Sequence, residues 1–227
     1  MKIGLISLII ALILFNIVSF CQNLKNKSAP FSYVDIHLER NITDGDIEAV
    51  LEIKADEDGL TKLSVVSPNG KTILEFESKD KSIMGVRQFR FESPEPKNEK
   101  SLKSAYPEGE YTFTGETTYG KKLTGKSILS HKFPAAGKVI QPLSGATDLA
   151  TSNMKISWAS VKNVSSFIVY IENDDFNFTV SLPESKTTMI VPEGYLEPQK
   201  KYMLGLGTQS KNGNISFVEM SFKTGNN

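Results

Sequence analysis

Two histidines, His37 and His131, are the residues of this 227-residue chain best suited to metal binding or proton transfer. Both fall in segments with the alternation of β-strands, so a pair that met across two sheets could hold a metal ion with the help of a carboxylate. No HExxH or similar spacing accompanies them. Because an isolated histidine on a strand surface usually faces water, we expect both imidazoles to be exposed and predict no metal site.

Nucleophilic catalysis has little support in the sequence. The single cysteine, Cys21, ends the N-terminal apolar segment, and neither histidine lies near a Gly-x-Ser-x-Gly turn. Paired carboxylates are harder to exclude, because glycoside hydrolysis needs only two of them about 5–10 Å apart. Small β-sandwiches have convex faces with few deep clefts. We therefore predict a protein that is not an enzyme, with no catalytic residues and no cofactor, and keep a small secreted hydrolase as the second alternative.

Short acidic turns are the remaining candidates for ion binding. Residues 43–46 and 56–59 could offer carboxylate oxygens to calcium, and residues 173–175 are a similar case. None continues into the twelve-residue loop of an EF-hand. Asp and Gly are common in hairpin turns for conformational reasons alone, so we expect these segments to be turns.

Aromatic residues cluster near one part of the sequence, where a row of exposed rings would suggest sugar stacking. Tyr111 and Phe113 have the spacing of one strand face, and Tyr119 falls in a turn. Core packing is the favoured interpretation of Tyr111 and Phe113. The pattern does not predict a carbohydrate platform at these residues.

The N-terminus has the pattern of a secretory signal: Lys2 is followed by an apolar run over residues 3–20, and the next charge is Lys25. Cleavage after Cys21 would remove residues 1–21. A competing interpretation makes Cys21 the lipid-modified first residue of a lipoprotein, although Phe20 is bulky for that processing. An uncleaved anchor is the third possibility, since about 18 apolar residues approach a membrane span. We predict a secreted or cell-surface protein.

Charge and length constrain the class of the exported part. The 26 basic and 26 acidic side chains give no net charge, and no concentrated basic surface is present for nucleic acid. After a polar tether at residues 22–30, about 200 residues remain, which suits two domains of about 100 each. We place them at residues 31–133 and 134–227.

Alternating apolar residues dominate both predicted domains. Val34, Ile36 and Leu38 share one face of a strand, and Asn212-Gly213 has the type of a two-residue hairpin turn. Residues 99–106, between two prolines, are the one helical candidate. Short strands at close spacing without crossover helices predict an all-β chain of two tandem antiparallel β-sandwich domains.

Residues 138–224 resemble a fibronectin type III domain. The resemblance rests on a core tryptophan, a Phe-x-Val pair, a corner with Leu, Pro and Tyr, and a closing Phe-x-Thr: Trp158, Phe167, Val169, Leu196, Pro198, Tyr202, Phe222 and Thr224. The first domain carries Pro107-x-Gly109-x-Tyr111, which resembles the strand entry of bacterial immunoglobulin-like domains. In each case a tyrosine at the start of a strand would return its hydroxyl to the backbone upstream.

The resemblance implies a non-enzymatic spacer or binding module with a role in adhesion or matrix assembly. We expect it to act through loops and strand edges, the parts of a sandwich that are free to vary. The expected partner is an extracellular protein or polysaccharide, with membrane contact only through the N-terminal segment or a lipidated Cys21. The alternative is a carbohydrate-binding or enzyme-accessory module.

Overall fold

The computed structural model describes residues 28–55, 57–80 and 84–226. The predicted signal segment and the cleavage site at Cys21 lie outside these ranges. Within them, no helix is long and apolar enough to cross a bilayer.

The first sandwich is built from eight strands and one short helix: β1 (Ala29–Pro30), β2 (Tyr33–Asn41), β3 (Ile47–Lys54), β4 (Leu60–Val66), β5 (Thr72–Glu77), β6 (Gln88–Glu92), α1 (Glu99–Ala105), β7 (Gly109–Thr117) and β8 (Lys122–Leu129). One sheet has the order β1-β8-β7-β4-β5, and the facing strands have the order β2-β3-β6. The helix begins where the Asn98 side chain accepts a hydrogen bond from the amide of Ser101 at 2.9 Å.

The second sandwich contains the remaining seven strands: β9 (Val139–Gln141), β10 (Lys155–Trp158), β11 (Val164–Asn173), β12 (Phe176–Pro183), β13 (Thr188–Ile190), β14 (Lys201–Ser210) and β15 (Ile215–Lys223). A three-stranded sheet, β13-β10-β9, faces four strands in the order β12-β11-β14-β15. This pairing of a three-stranded with a four-stranded antiparallel sheet is the fibronectin type III arrangement that the sequence predicted.

The two sandwiches share one strand order. In the first, β5-β4-β7-β8 corresponds to β12-β11-β14-β15 of the second, and β2-β3-β6 corresponds to β9-β10-β13. The sequence did not indicate this correspondence, because the first half has no tryptophan and its spacings differ. The chain is therefore all-β, with two tandem antiparallel sandwiches.

Each sandwich has its own hydrophobic core. Tyr111 and Phe113 are fully buried in the first core, and Trp158 is 2% exposed in the second. Both predicted tyrosine corners are present: the Tyr111 hydroxyl donates to the carbonyl of Pro107 at 3.0 Å, and the Tyr202 hydroxyl accepts from the amide of Glu197 at 2.9 Å. Burying rings of this size stabilises each sandwich by several kcal/mol.

The N-terminal boundary differs slightly from the prediction. Ala29 and Pro30 already pair in parallel with β8, at Leu123 and Thr124, two residues before the expected first residue, Phe31. A proline can occupy this position because β1 is an edge strand, where one face of the backbone needs no ladder partner.

Candidate binding groove between the two sandwiches

One sheet continues from the second sandwich into the first. Strand β15 pairs in parallel with β2 through Ile215–Glu39, Ser216–Arg40 and Phe217–Asn41, which makes a seven-stranded sheet, β12-β11-β14-β15-β2-β3-β6. The amide of Ile42 extends the pairing with a 2.9 Å bond to the carbonyl of Phe217. The two domains are therefore joined by backbone hydrogen bonds as well as by the chain.

Asn214 fixes this junction. Its side chain is fully buried and makes three hydrogen bonds to backbone of the first sandwich. Its amide nitrogen donates to the carbonyls of Ser130 at 2.6 Å and Lys132 at 3.1 Å, and its oxygen accepts from the amide of Leu38 at 2.9 Å. Without Asn214 the amide of Leu38 and the carbonyl of Ser130 would lose this partner, and Lys132 would keep only a 3.3 Å bond from Asn212. The residue therefore holds β2 and the segment after β8 in place.

The segment that connects the sandwiches is also fixed. The carbonyl of the buried Pro134 accepts hydrogen bonds from Arg40 at 3.1 Å and from the Ser216 hydroxyl at 2.9 Å. The Arg40 guanidinium also lies 4.5 Å from the centre of the Phe133 ring, within cation–π range. Three residues after Pro134, a Cβ on Gly137 would come within 2.6 Å of the Leu206 side chain. This short connection thus packs against both sandwiches.

The outer face of the seven-stranded sheet forms a groove of about 930 Å³, which we call the interdomain groove. The first sandwich contributes charged side chains of β2, β3 and β6, and the second contributes mostly polar and aromatic ones. Nine carboxylates line it, against the cationic groups of Arg40, Arg90 and His37: Glu39, Asp44, Asp46, Glu48, Glu52, Glu92, Glu95, Glu172 and Glu219. The groove is strongly acidic although the whole chain is neutral.

Two aromatic rings cover glycine positions of β14 beneath this groove. A Cβ on Gly205 would lie 2.0 Å from the Tyr170 ring, and one on Gly207 would lie 2.6 Å from Phe217. The two rings meet edge to face with centroids 5.8 Å apart. The Tyr170 hydroxyl donates to Glu219, and burial together with this carboxylate raises the pKa of Tyr170. The rings therefore lie close against the strand, in fixed positions, because no side chain of β14 separates them from it.

A chain of ion pairs crosses the acidic side of the groove. His37 is 3% exposed, and its ring nitrogens donate to Asp35 at 2.8 Å and to Glu39 at 2.9 Å. Asp35 also accepts a 3.0 Å hydrogen bond from the Ser127 hydroxyl. This hydroxyl in turn accepts a 3.1 Å hydrogen bond from the backbone amide of Ile36. The imidazole is thus held between two carboxylates on one face of β2.

The electrostatics of His37 follow from these contacts. Burial acts to lower its pKa, but the hydrogen bonds and charges of Asp35 and Glu39 outweigh burial and raise the pKa to about 9. For Glu39, burial acts to raise the pKa, and the contacts with His37 and Arg90 outweigh it and lower the pKa. His37 is accordingly an imidazolium at neutral pH. With both ring nitrogens protonated, it has no lone pair with which to act as a general base.

Arg90 ties Glu39 to two more carboxylates. Its guanidinium bonds Glu92 at 2.7 Å, Glu52 at 2.8 Å and Glu39 at 3.1 Å. Glu48 lies in the same groove, and burial together with Glu92 and Glu39 raises its pKa. Burial and the neighbouring carboxylates therefore favour the protonated form of Glu48.

The predicted exposure of the histidines was wrong for His37. The alternation Asp35-x-His37-x-Glu39 places a carboxylate on each side of the imidazole on one strand face, and the Gly213 turn of the second sandwich packs against that face. That spacing was a usable signal in the sequence. His131 is half-buried and lies beyond the end of β8, not within a strand, where it bonds the carbonyl of Tyr106 at 2.8 Å.

The other candidate site residues form local structure. Asp44 caps its own turn, accepting from the Asn41 side chain at 2.9 Å and from the amide of Asp46 at 3.0 Å. Among the described residues, no group of three or more His, Cys, Asp or Glu side chains could hold a metal ion. Tyr119 is 84% exposed on its loop, remote from the groove lining. Sequence reasoning missed the groove, because it arises where two distant strands pair.

No protein-family model matches the chain, and no curated protein sequence matches it. Solved structures with some similarity include the FN1–FN3 domains of chicken CNTN1, at 11% identity and a TM-score of 0.34, where the match covers 87% of this chain and 65% of that one. Two others are the fibronectin(III)-like modules of Clostridium thermocellum CbhA (10% identity, 88% and 92% covered, TM-score 0.33) and a two-domain fibronectin type III segment of chicken tenascin (16%, 86% and 100%, TM-score 0.32). The fold assignment rests on the strand order and corners of the chain itself.

Proposed function

We propose that this protein is an exported, non-enzymatic binding module that recognises an extracellular protein or polysaccharide in the interdomain groove. The observation that carries the proposal is the continuous sheet, which gives two convex sandwiches one concave face. Binding sites are typically concave and largely pre-formed, and they often lie at domain interfaces.

The fixed geometry of the junction supports this role. Asn214 and the carbonyl of Pro134 bond across it, so that the two walls of the groove are held at one separation. A ligand then binds without the cost of ordering a flexible domain pair. The sequence prediction assigned recognition to loops and strand edges, whereas the present proposal assigns it to a sheet face.

The lining indicates the class of ligand. The Tyr170 and Phe217 rings offer a surface for the apolar face of a sugar or for a cation, and the side chains around them supply hydrogen-bond donors and acceptors. The excess of carboxylates disfavours anionic ligands. We therefore expect neutral or cationic chains to bind: a neutral or amino-sugar polysaccharide, or a lysine-rich protein segment.

Probes that differ in charge test the proposal on the full chain in mild detergent. Chitosan oligosaccharides, dextran and heparin represent cationic, neutral and anionic polysaccharides, and oligolysine and oligoglutamate peptides represent protein segments. We expect measurable binding of a cationic or neutral probe and none of heparin or oligoglutamate. Binding of anionic probes alone would contradict the assignment of the groove.

A pair of variants locates the bound probe. Phe217→Leu removes a ring beneath the groove, and Tyr119→Ala removes an exposed ring on a loop of the first sandwich. We expect the first variant to weaken binding at least about tenfold, since stacking on one aromatic ring contributes about 1–3 kcal/mol where it has been measured, and the second to leave it unchanged. The reverse pattern would place recognition on the loops.

A hydrolase is the second candidate, because Glu48 has a raised pKa and lies among other carboxylates, as a general acid of a glycosidase would. Turnover of a bound oligosaccharide that disappears in Glu48→Gln would establish this activity. If wild type and Glu48→Gln both bind without turnover, the binding module alone stands.

A further inference from the structure

The edge of the seven-stranded sheet in the second sandwich differs from the other sheet edges of the described chain. Strand β12 has eight residues; the first seven, Phe176 to Leu182, contain no charge, and the one proline, Pro183, stands at the C-terminal end of the strand. Its pairing with β11 runs through eight consecutive residue pairs without a bulge. Edge strands of soluble proteins are usually guarded by charges, prolines, bulges or short length, because an unguarded edge pairs with another strand.

The remaining edges carry such guards. The opposite edge, β6, has five residues and includes Arg90 and Glu92. Strand β5 has six residues with two glutamates, and its pairing with β4 contains a register shift. The edge strands β9 and β13 have three residues each, and β1 has two.

We propose that β12 pairs with β12 of a second copy of this chain, antiparallel and about a two-fold axis, which joins two molecules through one sheet. An antiparallel pair of identical strands is an isologous contact, and two-fold dimers are the commonest homo-oligomers. The strand suits its own copy in length, in alternation and in lack of charge. The dimer contact uses the backbone edge of β12, while the outward side chains Thr179 and Ser181 also line the interdomain groove.

The sequence around β12 selects a register. Directly opposed residues must point to the same face, so each residue faces one of the same parity in the partner. Placing Val180 opposite Val180 sets Thr179 against Ser181 on the exposed face and Phe178 against Leu182 on the half-buried face. In this register the turn that carries the exposed Asp174 of one copy comes level with the turn that precedes the exposed Lys186 of the other.

Neighbouring registers are less favourable. Placing Thr179 opposite Thr179 sets Asp174 against Glu184, which brings like charges together at both ends. Placing Ser181 opposite Ser181 shortens the overlap and sets Phe178 against Glu184. Cross-strand pairs of like charge are destabilising, and aromatic or β-branched pairs are stabilising. The register centred on Val180 is therefore the one that the chain favours.

Cysteine cross-linking of the full chain tests the dimer and its register together. Opposed Cα atoms lie about 4.5–5.5 Å apart in an antiparallel pair, within the range of a disulfide, about 4.4–6.8 Å. We expect Val180→Cys to form a disulfide-linked dimer on mild oxidation. Thr179→Cys should cross-link when mixed with Ser181→Cys and should not cross-link alone. The wild-type chain, whose only cysteine is Cys21, shows how much cross-linking arises from that residue.

Mass measurement in solution provides the second arm. Light scattering of the full chain should show a dimer. Thr179→Lys should raise the dissociation constant of this dimer at least about tenfold, because it places a lysine in each uncharged Thr179–Ser181 pair. Thr114→Lys, an exposed threonine on the central strand β7, is the matched control and should leave the dimer unchanged. A monomer at all concentrations without a Val180→Cys cross-link, or a dimer indifferent to Thr179→Lys, would overturn the proposal.

Discussion

Replacing Asn214 by alanine should destabilise the junction more than any change at the neighbouring turn. The substitution leaves the amide of Leu38 and the carbonyl of Ser130 without their side-chain partner, and it removes the shorter of the two side-chain bonds to the carbonyl of Lys132. An unpaired buried polar group costs about 1–3 kcal/mol. Since water can enter the space left by the side chain and satisfy part of this demand, we expect a loss of about 2–4 kcal/mol in the free energy of unfolding.

Asn212→Ala is the matched control, two residues away in the same turn. The half-buried Asn212 side chain donates one long bond of 3.3 Å to the carbonyl of Lys132 and accepts one from the Ser210 hydroxyl, which also bonds the carbonyl of Asn214. Its removal should therefore cost under about 1 kcal/mol. Urea unfolding of the full chain, followed by far-ultraviolet circular dichroism, gives both values at constant m. Equal midpoints for the two variants would refute the reasoning that Asn214 fixes the junction.

Three further predictions concern the corners, the buried imidazole and the ring that covers β14. Tyr202→Phe should lower the free energy of unfolding by about 1 kcal/mol for the lost bond to Glu197, and Tyr111→Phe by about the same for the lost bond to Pro107. Urea unfolding measures both, and an unchanged stability in either variant would contradict the corner geometry. The pKa of His37 is raised from 6.5 to about 9, so its ion pairs should contribute up to about 3 kcal/mol to the free energy of unfolding below pH 6.5. This contribution is lost as the pH rises through 9. Urea unfolding at pH 6.5 and 9.5 should show the loss in wild type and not in His37→Gln. Gly205→Ala should displace the Tyr170 ring, because the new Cβ would lie 2.0 Å from it; near-ultraviolet circular dichroism should report the change, and an unchanged tyrosine signal would contradict the packing.

Local patterns predicted most of the fold. Alternation in β2 correctly assigned Ile36 and Leu38 to the core, and the corner tyrosines followed from Pro107-x-Gly109-x-Tyr111 and from Leu196, Pro198 and Tyr202. Gly109 adopts the expected positive φ of 133°. These features depend on residues close in sequence, where side-chain period and turn chemistry are decisive.

The groove could not be predicted in this way. The pairing of β15 with β2 involves three residue pairs separated by 176 positions, and no local pattern encodes which strand edges meet. The buried His37 is an intermediate case, because the flanking Asp35 and Glu39 were visible in the sequence. Whether these carboxylates hold a buried imidazole depends on what packs against their strand face. The turn at Gly213, which covers it, belongs to the other sandwich.

The distance between the two sandwiches tests the central claim, a single rigid face, most directly. Spin labels on cysteines at the exposed Thr114 and Ser185, with Cys21 replaced by serine and the labelled chain diluted with unlabelled chain, report this distance within one molecule by pulsed electron resonance in the full chain. The seven-stranded sheet predicts one narrow distance distribution, which should broaden in Asn214→Ala. A broad distribution in the chain that carries Asn214 would show that the sandwiches move independently, and the groove would then not exist as a pre-formed site.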